Sequence, residues 1–531
     1  MAYATVNSCT LVGITALPVV VEIHITGGLP GMSIVGLPQS AVRESKDRVK
    51  AAIQHANFHF PQSKVVVNLA PADLPKRGGR FDLPIALGIL IASDQIPAEA
   101  VKNLVVIGEL GLTGKLRAVS GVLPTAQSLS NSERALLLPL INGREATRCV
   151  RTHVIGVSTL IETCLALSGD GVLPRLDASM FEGVAEGKPP GVLFPSANRQ
   201  VAQSTQRLGR LPDMVDVLGQ AAARRALEIA AAGRHNLLMV GPPGTGKSML
   251  ACRLPGIQPA MSEQEAMETA SVASISYTGF DESRWGIRPF RTPHHTASGV
   301  ALVGGGGSQP MPGEISLAHN GVLFLDELSE FPRSVLDVLR EPMETGKITV
   351  SRAARQAEFP ARFQLVAAMN PCPCGYDGDH SASTRCRCTA DAISRYQSRL
   401  SGPFLDRIDL WVTVERPTIA ERNKANDQES TEIIQRRVLA AYQRQLERQQ
   451  SVNADLDPRQ MSHVLGLDAA AQELVEAATE RFELSLRAMH RLLRVARTIA
   501  DLDEAEVVDT GHLAEALSLR AGQQSSLARS L

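Results

Sequence analysis

Eight consecutive residues near the middle of the chain match every fixed position of a phosphate-binding loop. They are Gly241, Pro242, Pro243, Gly244, Thr245, Gly246, Lys247 and Ser248. An apolar strand precedes them and a helix-compatible stretch follows, which a chance glycine-rich turn would not require. In such a loop, backbone N–H groups turn towards phosphates, the lysine reaches the β- and γ-phosphate oxygens, and the serine ligates Mg²⁺. The loop therefore predicts a P-loop α/β fold that binds ATP and Mg²⁺.

Two later apolar strands end in polar residues suited to hydrolysis. Val322–Leu325 leads into Asp326 and Glu327, and a further strand leads into Asn370. Ligands gather at the C-terminal ends of strands in open α/β sheets, so Asp326 is predicted to hold Mg²⁺ together with Ser248. Glu327 is predicted to polarise the attacking water and Asn370 to position it. The alternatives are a core strand that ends at surface acids and an ordinary asparagine turn.

Length and texture divide the chain into four regions. Its 531 residues suggest three or four domains. Residues 1–168 alternate strands, such as 65–69 and 104–108, with helical stretches, such as 83–93. Changes in composition and in the strand and helix pattern predict four regions. They are an α/β domain at 1–168, a Pro- and Gly-rich linker at 169–213, an α/β ATPase core at 214–417, and a helical region at 418–531.

Charge and hydropathy limit where the protein works and what it binds. Lys and Arg total 54 against 55 Asp and Glu, so any binding to a phosphate backbone needs a local basic patch. The longest apolar run, 83–92, is too short for the roughly 20 residues of a membrane span. The N-terminus has no basic stretch leading into an apolar one. We therefore expect a cytoplasmic protein with no membrane partner.

Half of the cysteines cluster in one short stretch. Of eight, four are Cys372, Cys374, Cys386 and Cys388. Four thiolates can hold a tetrahedral Zn²⁺, which would be structural because four protein ligands leave no open position. The Cys-x-Cys spacing is less specific than Cys-x₂₋₄-Cys, and His380 is an available substitute ligand. Reduced structural thiols and a redox-labile pair are the alternatives.

Three motifs resemble those of the magnesium-chelatase-related AAA+ ATPases. They are the runs 291–298, 312–321 and 323–327. More closely, the whole chain resembles the ComM/YifB group. This resemblance implies an ATP-driven homo-hexameric ring with a C-terminal helical lid of the magnesium-chelatase type. It also implies DNA branch migration during integration of transforming single-stranded DNA, with recombination proteins as further partners.

The resemblance also assigns an arginine finger. Arg407, in the run 402–409, matches the family's finger segment and would reach the γ-phosphate held by the neighbouring subunit. In related chemistry such an arginine is worth about 10³–10⁵ in rate. The alternative is a local salt-bridge cluster of Arg407 with Asp406 and Asp409.

A second arginine aligns with the lid sensor of the family. Arg487 is the matching residue and would touch the nucleotide from above. Arg487, Arg491 and Arg494 are spaced to share one helical face, so a solvated basic face is the alternative.

A basic hairpin is predicted between the second and third strands of the nucleotide site. Two strand-like pieces flank residues 351–356, and the segment is locally basic. In this ATPase clade such a hairpin points into the channel of the ring. We therefore predict that Lys347, Arg352 and Arg355 contact the DNA backbone, with strong salt dependence. A solvent-exposed basic loop is the alternative.

The N-terminal region resembles the proteolytic domain of Lon proteases, which has a ribosomal-S5-domain-2-like fold. The resemblance covers 71–92 and 107–122. Lon uses a Ser–Lys dyad, but the corresponding positions fall at about Arg80 and Leu123. We therefore expect a domain without protease activity. The basic patch of Lys76, Arg77 and Arg80 suggests a binding surface or a solvated turn.

Four function classes follow. The first is a hexameric DNA helicase or branch migrase, which the hydrolysis motifs and the basic hairpin favour. The second is a magnesium-chelatase motor subunit, although that family lacks the Lon-like extension. The third is a protein-remodelling ATPase or active protease, but pore loops of unfoldases usually offer an aromatic grip and only 4% of this chain is aromatic. The fourth, a non-motor binding module, leaves the hydrolysis motifs unexplained.

Overall fold

The chain folds into two compact units. The computed structural model describes residues 2–76, 78–181, 212–305, 310–352, 355–378, 386–417 and 428–527. Unit 1 comprises residues 1–192 and 267–285, and unit 2 comprises 193–266 and 286–531. Residues 267–285, which lie within the predicted ATPase core by sequence, therefore belong to the N-terminal unit.

Unit 1 is built on a mixed sheet with the strand order β10-β9-β8-β5-β1-β2-β4-β3. Its described strands are β1 Ala2–Val12, β2 Thr15–Thr26, β3 Gly31–Val35, β4 Lys64–Ala70, β5 Leu104–Val106, β6 Glu109–Leu110, β7 Leu116–Arg117, β8 Ala135–Pro139, β9 Val154–Val157 and β10 Arg175–Leu176. Its described α-helices are α1 Ser40–Arg43, α2 Ser45–His55, α3 Asp82–Ala92, α4 Val122–Ser128, α5 Gly143–Ala146 and α6 Leu160–Ser168. The short strands β6 and β7 pair separately.

The core of unit 1 follows from its residue pattern. In β2, Val19, Val21 and Ile23 are buried while their neighbours are not, as expected for a strand with one covered face. Helix α3 is apolar on all sides and buried along its whole length, and it packs on β1 and β2. The predicted strand at 65–69 and helix at 83–93 correspond to β4 and α3, and the strand predicted at 104–108 is the shorter β5, which ends at Val106.

The predicted linker begins inside this sheet. β10 pairs antiparallel with β9, and the buried Leu176 lies against the position where Gly143 has no side chain. Residues 169–181 therefore lie within the described part of unit 1, whereas residues 182–211 of the predicted linker lie outside the described residues.

Unit 2 is built on a parallel sheet with the strand order β12-β15-β18-β11-β19. Its described strands are β11 Leu237–Val240, β12 Phe290–Arg291, β13 Gly304–Gly305, β14 Met311–Pro312, β15 Val322–Leu325, β16 Lys347–Arg352, β17 Arg355–Pro360, β18 Gln364–Met369 and β19 Leu410–Thr413. The described α-helices from residue 212 onward are α7 Ala221–Gly233, α8 Lys247–Ala251, α9 Leu254–Ile257, α10 Glu263–Ile275, α11 Gly299–Val303, α12 Glu314–Leu317, α13 Arg333–Val338, α14 Pro342–Thr345, α15 Ala390–Gln397, α16 Gly402–Leu405, α17 Thr431–Gln449, α18 Pro458–Leu465, α19 Ala469–Arg481, α20 Leu486–Leu502 and α21 Thr510–Leu527. Helix α10 begins in unit 2 and ends in unit 1.

The central strands of unit 2 are apolar runs because both faces of a parallel sheet are covered. Every residue of β15 and β18 is buried. Since β11, β15 and β18 are adjacent and parallel, their C-terminal ends meet at one edge of the sheet. That edge carries the loop 241–248, Asp326 and Asn370.

Helices α17–α21 complete unit 2. Ser430 and Ser485 cap α17 and α20 by accepting from the backbone N–H of Ile433 and Ala488. The C-terminal half of α20 is buried. The α/β fold with a parallel sheet and a C-terminal helical region is confirmed. Among the described helices, none is both long enough and apolar enough to cross a bilayer.

Candidate nucleotide site

The predicted phosphate-binding loop lies between β11 and α8. Gly246 has a φ of +90°, which favours glycine and turns the chain into the helix. At Gly241 a Cβ atom would lie 2.1 Å from the carbonyl oxygen of Val414, so a side chain is excluded there. The local strand–loop–helix order is the one that the sequence predicted.

Lys247 is directed into this loop. Its ammonium group donates to the carbonyl oxygens of Gly241 at 2.6 Å and Pro242 at 2.8 Å, and to Asn370 Oδ1 at 3.3 Å. Burial lowers the pKa of Lys247, while the nearby carboxylate of Asp326 opposes that shift. The structure thus brings the predicted phosphate-binding lysine and the predicted sensor asparagine together.

The two predicted magnesium ligands are in contact. The Ser248 hydroxyl, in the first turn of α8, donates to Asp326 Oδ2 at 2.6 Å. A hydroxyl and a carboxylate are hard oxygen ligands of the kind that Mg²⁺ uses beside a bound phosphate. These residues fit the ion that the motif implies.

Glu327 adopts a left-handed backbone conformation, with a φ of +51°. Its carboxylate is about half exposed, and Oε2 lies 3.1 Å from Nδ1 of His295. The His295 ring packs edge-on against Phe331 at 6.5 Å. The imidazole therefore holds the carboxylate that is predicted to act on water.

His295 has no role in the sequence-based prediction. It lies in the run 291–298 that supports the family resemblance. Nothing in the spacing of that run indicates that His295 contacts Glu327. The contact with Glu327 arises because β12 and β15 are neighbouring parallel strands.

Arg407 is folded back onto its own chain. Its guanidinium donates to the carbonyl oxygen of Pro403 and to Glu344 Oε1, and its side chain is only 7% exposed. The alternative cluster with Asp406 and Asp409 is not formed in the described residues, since Asp409 pairs instead with another arginine. Its role as a finger stays a prediction.

The three arginines of α20 that are spaced to share one face do not form a solvated surface. Arg491 pairs with Asp409 at 2.9 Å, and Arg494 donates to the carbonyl oxygen of Leu456 at 2.6 Å. Arg487 is 53% exposed and donates to Glu344 Oε1. Arg487 is thus the arginine of this helix that remains accessible to a ligand.

The predicted hairpin is confirmed. β16 and β17 pair antiparallel from Lys347↔Pro360 to Arg352↔Arg355. Lys347 lies at the base and pairs with Glu358 at 2.8 Å on the hairpin surface. Arg352 and Arg355 flank the tip, and their side chains lie outside the described part of the structure.

The four clustered cysteines converge. Their Sγ atoms all lie within 4.8 Å of one another, with 3.3 Å between Cys372 and Cys374 and 3.6 Å between Cys374 and Cys386. Tetrahedral Zn–S bonds of about 2.3 Å imply S···S separations of about 3.8 Å, so the four thiols fit a Zn²⁺ ion. Cys388 is the fourth cysteine of this cluster. His380 lies outside the described residues.

The cysteine loop also touches the phosphate-binding loop. Gly375 has a φ of +85°, and a Cβ atom there would lie 2.7 Å from Cδ of Pro243. Asn370 lies close to the same position. The thiol cluster therefore lies one short turn from two parts of the nucleotide site.

The basic patch predicted in the N-terminal region is not a surface. Lys76 is fully buried and donates to the carbonyl oxygen of Pro71, and Arg80 is 7% exposed and donates to Thr125 Oγ1 at 3.2 Å. Both predictions for this patch are wrong for these two residues, because their side chains turn into unit 1. Leu123, beside Thr125 on α4, is also buried. Arg77 lies outside the described residues.

Comparison with known proteins decides the family. The chain is 46% identical over 523 residues to competence protein ComM of Haemophilus influenzae, covering 98% of each chain. It is 43% identical to the uncharacterized protein YifB of Escherichia coli, covering 98% of this chain and 97% of that one. The chain belongs to the ComM/YifB family.

Three magnesium-chelatase family models match successive parts of this ComM/YifB-family chain. "Magnesium chelatase, subunit ChlI" matches residues 213–422, "Subunit ChlI of Mg-chelatase" matches 21–142, and "Magnesium chelatase, subunit ChlI C-terminal" matches 428–520. The magnesium-chelatase 38 kDa subunit of Cereibacter sphaeroides is 25% identical over 324 residues, which is 56% of this chain and 87% of that one. Unit 2 thus carries an AAA+ ATPase domain of the magnesium-chelatase type.

Proposed function

We propose that this ComM/YifB-family protein hydrolyses ATP with Mg²⁺. The observation that carries the proposal is the meeting of five predicted residues at one edge of the sheet. Ser248 and Asp326 would hold Mg²⁺, which supplies electrostatic stabilisation of the phosphates when bound, and Lys247 would hold the β- and γ-phosphates. Glu327 would polarise the attacking water, and Asn370 would position it.

The proposed work of this hydrolysis is movement of DNA. The hairpin of β16 and β17 carries Arg352 and Arg355 beside its tip, where a strand in a ring channel would pass. The Haemophilus relative is named for competence, which supports a role in integrating single-stranded DNA or in recombination. We propose a homo-hexameric helicase or branch migrase, assisted by recombination proteins. Because ATP and chromosomal DNA are cytoplasmic in bacteria, we propose that it acts there.

Lys347 contributes less than the tip residues under this proposal. Its ammonium group already pairs with Glu358 at 2.8 Å, although the pair is exposed and therefore weak. Binding to a phosphate would have to replace that pair. Arg352 and Arg355 are thus the residues whose charge reversal should weaken DNA binding most.

Two other activities remain as alternatives. A magnesium-chelatase motor subunit would match only part of this chain, since the Cereibacter subunit aligns with 56% of it whereas ComM aligns with 98%. A protein-remodelling ATPase is the other alternative. Proteolysis is not proposed, because Arg80 and Leu123 fall where the Lon dyad would require a serine and a lysine.

We also propose that Cys372, Cys374, Cys386 and Cys388 hold a structural Zn²⁺. Burial works against ionisation of Cys374, but backbone N–H groups of Arg387 and Tyr376 lower its pKa to about 6. A thiolate there suits zinc, which binds the deprotonated sulfur. The ion would fix the turn between Asn370 and α15.

The deciding experiment measures ATP turnover of the full chain with and without single-stranded DNA, together with migration of a labelled three-stranded joint. We expect DNA to stimulate turnover and the joint to resolve only with hydrolysable ATP. Glu327→Gln should bind ATP yet resolve nothing. Failure of any DNA to alter turnover, with no movement of the joint, would favour the alternatives.

The hairpin has its own test. Arg352→Glu with Arg355→Glu should weaken DNA binding and reduce its salt dependence while basal turnover persists, because the hairpin lies outside the nucleotide site. The control is Arg436→Glu, which reverses the charge of an exposed side chain on α17. If the hairpin variant and the Arg436→Glu control bind DNA equally well, the hairpin does not line the proposed channel.

A further inference from the structure

One carboxylate links the two arginines that are predicted to act on ATP. Glu344 lies on α14, Arg407 follows α16, and Arg487 lies in the first turn of α20, so three separate segments meet here. Both guanidinium groups donate through Nη2 to the same oxygen, Oε1 of Glu344. Two cations that are drawn to one anionic oxygen form an arrangement that a phosphate oxygen could also occupy.

Arg407 cannot reach another chain while this contact lasts. Its side chain is 7% exposed, with Nη1 on the Pro403 carbonyl oxygen and Nη2 on Glu344. Its Nε is buried and has no partner among the described residues. A guanidinium has five N–H donors, so donors remain for an incoming anion once the side chain swings out.

The electrostatics agree with this geometry. Burial lowers the pKa of Arg407, Glu344 raises it, and Arg487 and Arg340 lower it further. Arg340 is partly exposed and has only Asp337 as an ion-pair partner, at 3.6 Å, among the described residues. The cluster therefore carries more positive than negative charge, which attracts an anion.

We propose that Glu344 is a positioning residue that holds Arg407 and Arg487 together in the place of a terminal phosphate, until the ATP of a neighbouring protomer supplies that phosphate. Carboxylates and phosphates are the two anions that guanidinium groups bind with matching geometry. The inference rests on the proposed hydrolysis between neighbouring protomers. It adds that the Glu344 carboxylate competes with the phosphate of ATP for the two arginines.

This competition predicts the direction in which KM for ATP changes when Glu344 is replaced. If Glu344 occupies the arginines, ATP must displace it, and the ATP concentration for half-maximal turnover rises. Once the phosphate has replaced the carboxylate, the same two arginines act on it, so kcat changes little. A residue that merely oriented the arginines would instead lower kcat when removed.

The test is steady-state ATP turnover of the full chain at a protein concentration where it is assembled. Glu344→Gln should lower KM about threefold, the size expected for loss of a partly exposed ion pair, with kcat within about twofold. Glu344→Asp should restore the wild-type KM. The matched control is Glu341→Gln, an exposed carboxylate at the start of α14 with no ion pair among the described residues.

An unchanged or raised KM in Glu344→Gln, or a loss of kcat at constant KM, would overturn the inference. So would an equal shift in Glu341→Gln, because the charge alone would then be responsible. Arg407→Ala distinguishes a failure of the proposed hydrolysis between protomers from a failure of the proposed role of Glu344. If Arg407→Ala turns over ATP normally, the hydrolysis between protomers fails. If it is inactive while Glu344→Gln behaves as wild type, only the role of Glu344 fails.

Discussion

The hydroxyl of Ser248 and the carboxylate of Asp326 are joined by a hydrogen bond of 2.6 Å. Ser248 lies in the first turn of the helix after the phosphate-binding loop, and Asp326 follows the buried strand β15. Because the contact fixes the side chains of two separate elements, both oxygens are already close to where a shared Mg²⁺ would bind.

Replacement of Asp326 by Asn should therefore affect the metal before it affects the fold. We expect kcat to fall by at least about 100-fold and the Mg²⁺ concentration for half-maximal turnover to rise, because a neutral amide holds the ion less strongly. Phosphate release across a Mg²⁺ titration measures both. Asp391→Asn, at an exposed carboxylate on α15, should leave them unchanged.

The His295–Glu327 contact predicts a positioning effect. His295→Ala should lower kcat about tenfold with KM nearly constant, since the carboxylate would lose its support while nucleotide contacts persist. The matched control is His463→Ala, which removes an exposed imidazole on α18. If His463→Ala slows turnover equally, the contact with Glu327 is not the cause.

The cysteine cluster predicts a metal content. Purified protein should hold about one zinc per chain, and Cys372→Ser should lose it and unfold at a lower temperature. Elemental analysis and thermal unfolding are the measurements, with Cys252→Ser, an exposed thiol outside the cluster, as the control. Less than about half an equivalent of zinc in the wild-type protein would contradict the site.

Glu145 predicts a pH dependence of stability. Burial raises its pKa from 4.5 to about 7, although Ser274, the Leu123 amide and Asn142 hydrogen-bond to the carboxylate. The folded state therefore binds this proton more tightly than the unfolded state. Its contribution is complete below pH 4.5 and is lost as pH rises through about 7, by at most about 3 kcal/mol.

Glu145→Gln should remove that loss, because its amide does not ionise. Trp285 and Trp411 are the two tryptophans of the chain, and Trp285 lies in unit 1. In a Trp411→Phe background, fluorescence of Trp285 then reports unfolding of unit 1 alone. Denaturant unfolding at pH 5 and pH 8 should show a smaller difference for Glu145→Gln than for its parent. Equal differences would assign the pH dependence elsewhere.

Local patterns were sufficient to predict the nucleotide loop and the strands beside it. The phosphate-binding loop starts at Gly241, directly after one apolar strand, and Asp326 directly follows another. A parallel sheet brings the C-terminal ends of such strands together. The hairpin at β16 and β17 was predictable for the same reason, since both strands and the turn lie within one short segment.

Contacts between distant segments were not predictable. Glu344 meets Arg487 across 143 positions, and Ser274 meets Glu145 across 129. Charge and hydropathy are alike for Glu344 and its neighbour Glu341, so the sequence offers no reason to choose between them. The burial of Lys76 was missed because a basic turn is normally solvated.

The turn that carries Gly375 has a practical consequence. It joins four thiols to a backbone that lies against Pro243 of the phosphate-binding loop. Oxidation of those sulfurs during purification would distort this turn and register as lost enzyme activity, although every residue that handles ATP is intact. The oxidation state of the four cysteines should therefore be measured before an inactive preparation is attributed to a defect in the ATP site.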